Sequence, residues 1–456
     1  MTTGDASTYS VTEHRRQLRR AVIASTVGTA IEWYDFFLYS ALTSLVFVKL
    51  YFPNSEPLIG TLQAFSVYFV GFIARPIGAA IFGHYGDRIG RKKTLILTLL
   101  LMGVATFLVG LVPSYEVIGI WGAVLLTVLR FIQGIGVGGD WGGSVLLAME
   151  WAKTNKHRGF ITSWPQFGVP MGVFLANLAV LPFSSMDNEA FLSWGWRIPF
   201  LFSGVLLAVG LYVRLGVLET PTFQRLQREN KIARAPMLEV IKRHPKEILL
   251  SGLARTGQQT PFYIYTAFVF AYGVTQGMSR NFMLTAVLCT ALISLVTLPT
   301  FGYLSDRFGR KKVYLLGMVL TAVYSFVYFA GLDSGVAAIS FVVIALSLPS
   351  HDPTYGPQAA LIAESFPPAL RYSGASMGYQ LASIFAGGPA PLIATYLLAT
   401  YKSGTPIAIY MAICCAISFA AVLFMPDKTN RDIDTVADEN PEMDINLQAA
   451  QVPVAD

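Results

Sequence analysis

Gly83-His84-Tyr85-Gly86-Asp87-Arg88-Ile89-Gly90-Arg91-Lys92-Lys93 returns further along the chain as Gly302-Tyr303-Leu304-Ser305-Asp306-Arg307-Phe308-Gly309-Arg310-Lys311-Lys312. Each copy follows one long apolar stretch and precedes another, so each reads as a short polar loop between two helices. Gly86 and Gly90 allow a tight turn between helix ends, and Asp87 offers a carboxylate that can cap a neighbouring helix N-terminus. Arg88 and Arg91 can pair with acids on adjacent helix ends, for which Glu150 is a candidate; Asp306, Arg307 and Arg310 repeat the arrangement. Such a cluster would latch one side of a two-part molecule. The plainer reading makes Lys92 and Lys93 orientation anchors, a task for which Asp87 has no use.

The flanking sequence says what kind of helices these loops join. The 456 residues are 54% hydrophobic and 13% charged, with a mean hydropathy of +0.53. A soluble domain carries roughly a quarter charged residues, so most of this chain belongs in lipid. Apolar stretches long enough to cross a bilayer, which takes ~20 residues, lie near 21–48, 58–82, 93–112, 117–147, 160–181, 196–217, 247–273, 282–303, 313–331, 336–362, 373–398 and 405–425. Continuous apolar runs rather than alternation select helices over a barrel. The fold expected is an all-α membrane protein with about twelve transmembrane helices in two six-helix pseudo-symmetric bundles.

Charge sets the orientation. Arg15, Arg16, Arg19 and Arg20 precede the first span, and Arg88 to Lys93 follow the second. Lys153, Lys156 and Arg158 follow the fourth; Arg225, Arg228, Lys231, Arg234, Lys242 and Arg243 stud the middle link; and Arg307 to Lys312 follow the eighth. The opposite loops hold little beyond Lys49, Arg197, Arg280 and Lys402. Basic loops on one side of an even number of spans place both termini in the cytoplasm. The net charge of +6 is therefore a matter of membrane orientation, with no nucleic-acid partner implied.

The domains expected are a cytoplasmic segment at 1–20 without a cleavable signal pattern, bundles at 21–217 and 247–426, a cytoplasmic linker at 218–246, and a tail at 427–456. Asp432, Asp434, Asp438, Glu439, Glu442 and Asp444 make that tail acidic, and disorder is expected of it. Cys289, Cys414 and Cys415 all lie in apolar runs, so no disulfide framework, metal site or cofactor is expected.

The repeated G-x-x-x-D-R-x-G-R-K loop resembles the signature of the major facilitator superfamily. Longer segments are similar to its metabolite:proton symporter branch, which includes shikimate, 2-oxoglutarate, citrate and proline/betaine carriers. They are Ala30-Ile31-Glu32-Trp33-Tyr34-Asp35-Phe36, Ala74-Arg75-Pro76-Ile77-Gly78, the stretch from Arg130-Phe131-Ile132-Gln133-Gly134 to Gly143, Ala363-Glu364-Ser365-Phe366-Pro367, and Arg371-Tyr372-Ser373-Gly374-Ala375-Ser376. The resemblance covers essentially everything from Arg20 to Pro426. It implies a bacterial inner-membrane carrier working by alternating access, with a single chain sufficient. Two departures concern the solute: Asp140 stands where relatives usually show Glu, and Gln258 where this branch often has an acidic or amide residue. Asp140 is placed with the cytoplasmic gate residues.

Charges inside spans are costly, about 2.5–3.5 kcal/mol at a helix centre, so each needs a partner or a wet cavity. Glu32 and Asp35 share a helix face in the first span; Arg130 and Gln133 share one in the fourth. Desolvation favours a protonated carboxyl and a nearby cation favours the ionised form, so an Asp35–Arg130 pair could toggle with access and substrate. The resemblance points the same way, because related sugar–proton symporters couple through a first-span Asp and a fourth-span Arg. The competing reading is a static ion pair. Glu32 has two readings, a proton-coupling acid or a packing partner.

Arg75 and Arg255 are candidates for an anionic group, against snorkelling or pairing between spans. Gln133, Trp164, Gln166, Gln258, Tyr263, His351, Asp352, Tyr379 and Gln380 complete the expected substrate-binding set. Kink packing is the alternative for Trp164 and Gln166, and hydrogen-bonded packing for His351.

Gly134-Ile135-Gly136-Val137-Gly138-Gly139 matches a dinucleotide loop, and Gly374-Ala375-Ser376-Met377-Gly378 a hydrolase elbow. Both lie in membrane runs without a preceding strand, and no enzyme is expected. Proton-coupled import of a small organic acid is the leading function. Uptake of a zwitterionic osmolyte such as betaine or proline is the second. A sensor on a transporter scaffold is a third, and would call for a large output domain.

Overall fold

The structure, a computed structural model, describes residues 11–151, 157–228 and 236–429. Twelve long helical segments follow one another: α1 (Val11–Leu42), α2 (Pro57–Ile89), α3 (Arg91–Val109), α4 (Trp121–Glu150), α5 (Arg158–Ser184), α6 (Arg197–Leu215), α7 (Pro245–Tyr263), α8 (Arg280–Phe308), α9 (Arg310–Asp333), α10 (Ser347–Ala363), α11 (Arg371–Ala382) and α12 (Thr405–Phe424). α1 and α7 each continue through a π-helical turn, Thr43–Phe47 and Ile264–Phe268, and α11 continues through Ser383–Gly387 into Pro389–Tyr401. Ala337–Ala345 leads into α10. The matched π-turns after the first helix of each half preserve the duplication seen in the loops. No strand occurs among the described residues.

Ten of these helices are long and apolar enough to cross a membrane. Of the other two, α7 loses hydropathy to Arg255, Gln258 and Gln259, and α10 is only 17 residues long and carries His351, Asp352, Pro353 and Pro357. All these side chains are buried, so their polarity is turned inward. Apolar residues such as Val128, Val296 and Ile413 face outward, each at least half exposed. This inside-out distribution is what a lipid solvent selects.

The order of elements matches the twelve expected spans, but the helix ends do not. α1 begins at Val11, inside the segment expected to lead into the first span, and α2 and α8 run on to Ile89 and Phe308. Charged residues do not stop a helix; they only take it out of the hydrocarbon. Gly90 and Gly309 do stop it, with φ of 109° and 100°, where a side chain would be strained. Gly86, read as part of that turn, is instead helical and makes room for the Tyr372 ring. The linker contains two short helices, Pro221–Arg228 and Pro236–Arg243. Lys153, Lys156, Lys231, Arg234 and the acidic tail from Asp432 onward lie outside the described residues.

Within the first half α2 packs on α4, α1 on α5, and α3 on α4 and α6; in the second, α8 and α9 pack on α10, and α7 and α9 on α12. The halves meet through α5 on α8 and α2 on α11. Backbone approach between α2 and α4 is close enough that a Cβ at Gly138 would sit 2.0 Å from the Arg75 carbonyl. The G-x-G-x-x-G stretch is thus a helix-packing surface.

Candidate functional site

Three arginines occupy the middle of the molecule, each wholly buried and each without an acidic partner among the described residues. Arg75 on α2 donates to the Tyr263 hydroxyl at 3.0 Å and lies over the rings of Phe72 and Phe36 at 4.3 and 4.4 Å. Its Nε and Nη2 have no hydrogen-bond acceptor. Arg130 on α4 lies 4.2–4.6 Å from the ring centres of Phe36, Tyr39 and Tyr68. Arg255 on α7 donates to the Tyr379 carbonyl and lies 3.2 Å above the ring of the same residue. Aromatic faces hold a desolvated guanidinium without neutralising it.

The expected Asp35–Arg130 ion pair is not formed. Arg130 donates to Gln133 Oε1 at 3.2 Å, and Gln133 Nε2 donates to the Thr106 hydroxyl at 2.8 Å. Asp35 is buried on α1, and its Oδ1 has no hydrogen-bond partner among the described residues. The aromatic rings on α1 and α2 enclose the Arg130 guanidinium. Glu32 is buried three residues earlier on the same helix. Asp140, expected at the gate, lies inside the first half, bound by Arg214 Nη2 at 2.6 Å, Ser144 Oγ at 2.9 Å and Thr98 Oγ1 at 3.3 Å.

On the basic-loop side of the arginines, Trp141 and Tyr379 stack face to face, centroids 3.5 Å apart and planes at 13°. Gln166 accepts from Trp141 Nε1 at 2.8 Å. Gln380 donates to the Val137 carbonyl at 3.3 Å, so α4 and α11 touch at two neighbouring points. Trp164, expected beside the solute, turns to Phe160 and Phe167, and Trp141 holds the place next to Gln166. His351 packs between Phe262 and Tyr355 and reaches Gln258 through both its side chain and its carbonyl. Asp352 points the other way, to Ser294 and Thr297 of α8, off the central group.

The duplicated loops close the basic face twice over. Asp87 accepts from the backbone N–H and the hydroxyl of Ser373 at 3.1 and 2.7 Å, capping the start of α11. Asp306 accepts from the backbone N–H groups of Gly159 and Phe160, both at 2.8 Å, capping the start of α5. Each acid crosses from one half to the other. Behind Asp87, Arg91 pairs with it at 3.2 Å and with Glu150 at 3.6 Å. Behind Asp306, Arg310 pairs with it at 3.3 Å and with Glu364 at 3.0 Å, and Arg158 joins Glu364 at 2.8 Å. Arg88 and Arg307 are not in these clusters; they are exposed, against His84 and Phe308.

Sequence reasoning passed over Glu219, which accepts from the N–H groups of Arg91 and Lys92 at 3.1 and 3.2 Å, and its counterpart Thr429, which accepts from Arg310 N at 3.0 Å. Both follow the last helix of a half, and the repeat could have found them. On the opposite face a crevice of about 420 Å³ separates the halves, lined by Ser44, Thr61, Phe268, Gln276 and Lys402 among others.

Twelve helices in two matched halves, with charges buried at the seam and paired latches on one face, define a secondary transporter. The chain belongs to the Major Facilitator Superfamily, whose sequence model matches residues 26–386 and again 262–447. It is 42% identical to the shikimate transporter of Escherichia coli (strain K12), over 90% of this chain and 94% of that protein. It is 30% identical to the proline/betaine transporter of the same strain, over 91% and 85% respectively. Its fold is similar to that of the proton:xylose symporter XylE bound to 6-bromo-6-deoxy-D-glucose, with a TM-score of 0.74, 19% identity, and 92% and 98% coverage. The protein is therefore a multi-pass membrane transporter of small molecules and not an enzyme.

Proposed function

We propose that the protein imports a small organic acid together with protons, by rocking of its two halves about the central arginines. The observation that carries this reading is that Arg75 and Arg255, one from each half, are buried without an acidic partner among the described residues. A substrate carboxylate supplies what the aromatic rings do not, a negative charge with two lone-pair edges for a guanidinium. Gln133, Gln166, Gln258 and Tyr263 are the polar groups closest in kind to a hydroxylated acid, and Asp35 is the proton carrier. The likeness to a protein named as a shikimate transporter supports a cyclic hydroxy-acid as substrate.

The face bearing the duplicated loops is the cytoplasmic one, with both termini on that side, since Lys and Arg concentrate there. Asp87, Arg91, Glu150, Asp306 and Arg310 act as its gate, and the crevice opposite admits solute.

A second reading is uptake of a zwitterionic osmolyte. The rings of Trp33, Phe36, Phe72 and Phe262 pack around one another and could cage a quaternary ammonium, and relatives named as proline/betaine transporters share the fold. Uptake into proteoliposomes with an inward proton gradient, using labelled shikimate, dicarboxylates, aromatic acids and betaine, separates the two. Accumulation of an acid, lost in Arg75→Gln and Arg255→Gln, supports the first reading. Accumulation of betaine that survives both substitutions supports the second.

A further inference from the structure

The crevice on the face away from the duplicated loops has the features of a site of its own. It has a volume of about 420 Å³, with Ser44 and Thr61 on the first-half wall and Phe268, Gln276, Leu398 and Lys402 on the second. That volume holds a small ring-bearing acid, and the lining joins an apolar wall to a few polar groups, as ligand sites do. Ser44 belongs to the π-helical turn after α1, and its Oγ has no hydrogen-bond partner among the described residues. Phe268 ends the matching turn after α7, five residues beyond Tyr263, which accepts the hydrogen bond from Arg75. One stretch of α7 thus joins the crevice to the central arginines.

Lys402 is the cation of this crevice. The other basic residues of this face are engaged or lie elsewhere. Arg197 donates to the carbonyls of Gly110 and Val112, both at 2.8 Å. Arg280 donates to the Ser184 carbonyl at 2.7 Å and lies 4.1 Å from the Phe191 ring centre, and Lys49 is not part of the lining. The Lys402 side chain is exposed, and among the described residues no carboxylate pairs with it. Asp333, the acid nearest its loop, accepts instead from the Gly404 N–H and the Tyr272 hydroxyl. Glu56, next to the lining residue Pro57, is exposed and forms no ion pair with it. The backbone adds a second sign. Lys402 ends the helix Pro389–Tyr401 with a φ of 53°, and among the described residues it alone has a positive φ without being glycine. Glycine fills such a helix-ending position without steric cost, so this lysine brings a side chain that the backbone does not ask for.

We infer that the crevice is a first binding site for the acid, in which the Lys402 ammonium takes the carboxylate before the solute moves on to Arg75 and Arg255. An ammonium is a compact charge on a flexible stem, suited to capture and release; a guanidinium grips a carboxylate at two fixed points. One positive charge at the mouth of a cleft with low-dielectric walls raises the local concentration of an anion and its rate of entry. Ser44 Oγ meets a ring hydroxyl from the opposite wall, and Phe268 and Leu398 cover the apolar part of the ring. This deepens the organic-acid reading and rests on it, but its first test needs no uptake.

The experiment is acylation of the full-length protein in lipid nanodiscs by an amine-reactive ester, followed lysine by lysine with mass spectrometry. Shikimate, succinate and benzoate are the probes, with shikimate methyl ester as the counterpart without a charge. At saturation at least one acid should slow modification of Lys402 by about fivefold or more and leave Lys49 unchanged, while the ester changes neither. Protection should persist in Arg75→Gln, where the central site is impaired. Protection by no acid overturns the site, as does protection that the ester matches or that Arg75→Gln abolishes. In parallel, Lys402→Asn, which tolerates the left-handed backbone, should raise the apparent KM for uptake about tenfold with a smaller fall in maximal rate, and Lys402→Arg should restore it. An unchanged KM in Lys402→Asn overturns the capture role. Acids that protect Lys402 but are not accumulated by wild type refute the import reading and leave the site standing; accumulation without protection does the reverse.

Discussion

Arg130 is bonded to Gln133, and through it to the Thr106 hydroxyl, and forms no ion pair with Asp35. The distinction matters for mechanism. A direct pair would clamp α1 to α4 by charge; without one, Asp35 can change protonation while Arg130 stays fixed among its rings. The Thr106 hydroxyl gives its proton to the Met102 carbonyl at 3.0 Å and accepts from Gln133 Nε2 at 2.8 Å.

Thr106→Val keeps the shape of the side chain and removes its hydrogen bonds. Gln133 Nε2 is then buried without an acceptor, a loss of about 1–3 kcal/mol. Gradient-driven accumulation in proteoliposomes should fall roughly tenfold, about 1.4 kcal/mol, and by more in Asp35→Asn. Accumulation equal to wild type in Thr106→Val would show that transport does not need this hydroxyl.

Asp87→Asn and Asp306→Asn should each open the basic face. Both carboxylates cap a helix of the opposite half, and loss of such a cap costs about 0.5–2 kcal/mol. The two caps lie on different helix pairs and share no partner among the described residues, so the double variant should show the sum of the single effects within about 0.5 kcal/mol. Labelling rates of a cysteine placed behind each cap measure the opening; a double variant no more open than either single one would refute independent latches.

The latches are not equal, which gives a third test. Glu364 takes two arginines at 2.8 and 3.0 Å, whereas Glu150 meets Arg91 alone among the described residues, at 3.6 Å, and Arg91 keeps Asp87. Glu364→Gln removes the charge facing both guanidiniums, in the range of about 3–5 kcal/mol for a broken buried pair. Glu150→Gln should cost well under half of that. Thermal unfolding of the two variants in detergent ranks them, and a larger loss in Glu150→Gln would contradict the geometry.

Much of this was legible in the residues. Continuous apolar runs marked about twelve spans, and the repeated loop paired the halves before any coordinates were considered. Asp87 could be assigned a capping role because a lone carboxylate in a basic loop has no orienting use. What could not be read was helix rotation and partner choice. Arg214 closes a span and looks like an orientation anchor, yet Gly28 lets it fold inward to Asp140. Trp164 was the tryptophan expected at the solute with Gln166, and only the facing of α4 and α5 puts Trp141 beside Gln166 instead. Asp352 and His351 are adjacent but point to different helices, so a mid-span pair of polar residues does not imply one shared site.

The stack of Trp141 on Tyr379 is a contact between the halves that must break for the basic face to open. Trp141 belongs to α4 and is held by Gln166 of α5; Tyr379 belongs to α11 and carries the Arg255 guanidinium of α7 on its ring. Groups 3.5 and 3.2 Å from one ring centre cannot share a face, so Tyr379 is sandwiched between Trp141 and Arg255. A substrate carboxylate that draws Arg255 away would free one face of the ring and loosen the other. Trp141→Phe keeps an aromatic face and should leave transport within about tenfold, whereas Trp141→Ala forfeits burial worth about 3–5 kcal/mol and should leave the basic face open. Substrate should shift the tryptophan fluorescence of wild type, and that shift should be lost in Trp141→Phe. A shift of the same size in Trp141→Phe would mean that the signal arises at another tryptophan and that binding does not move this stack.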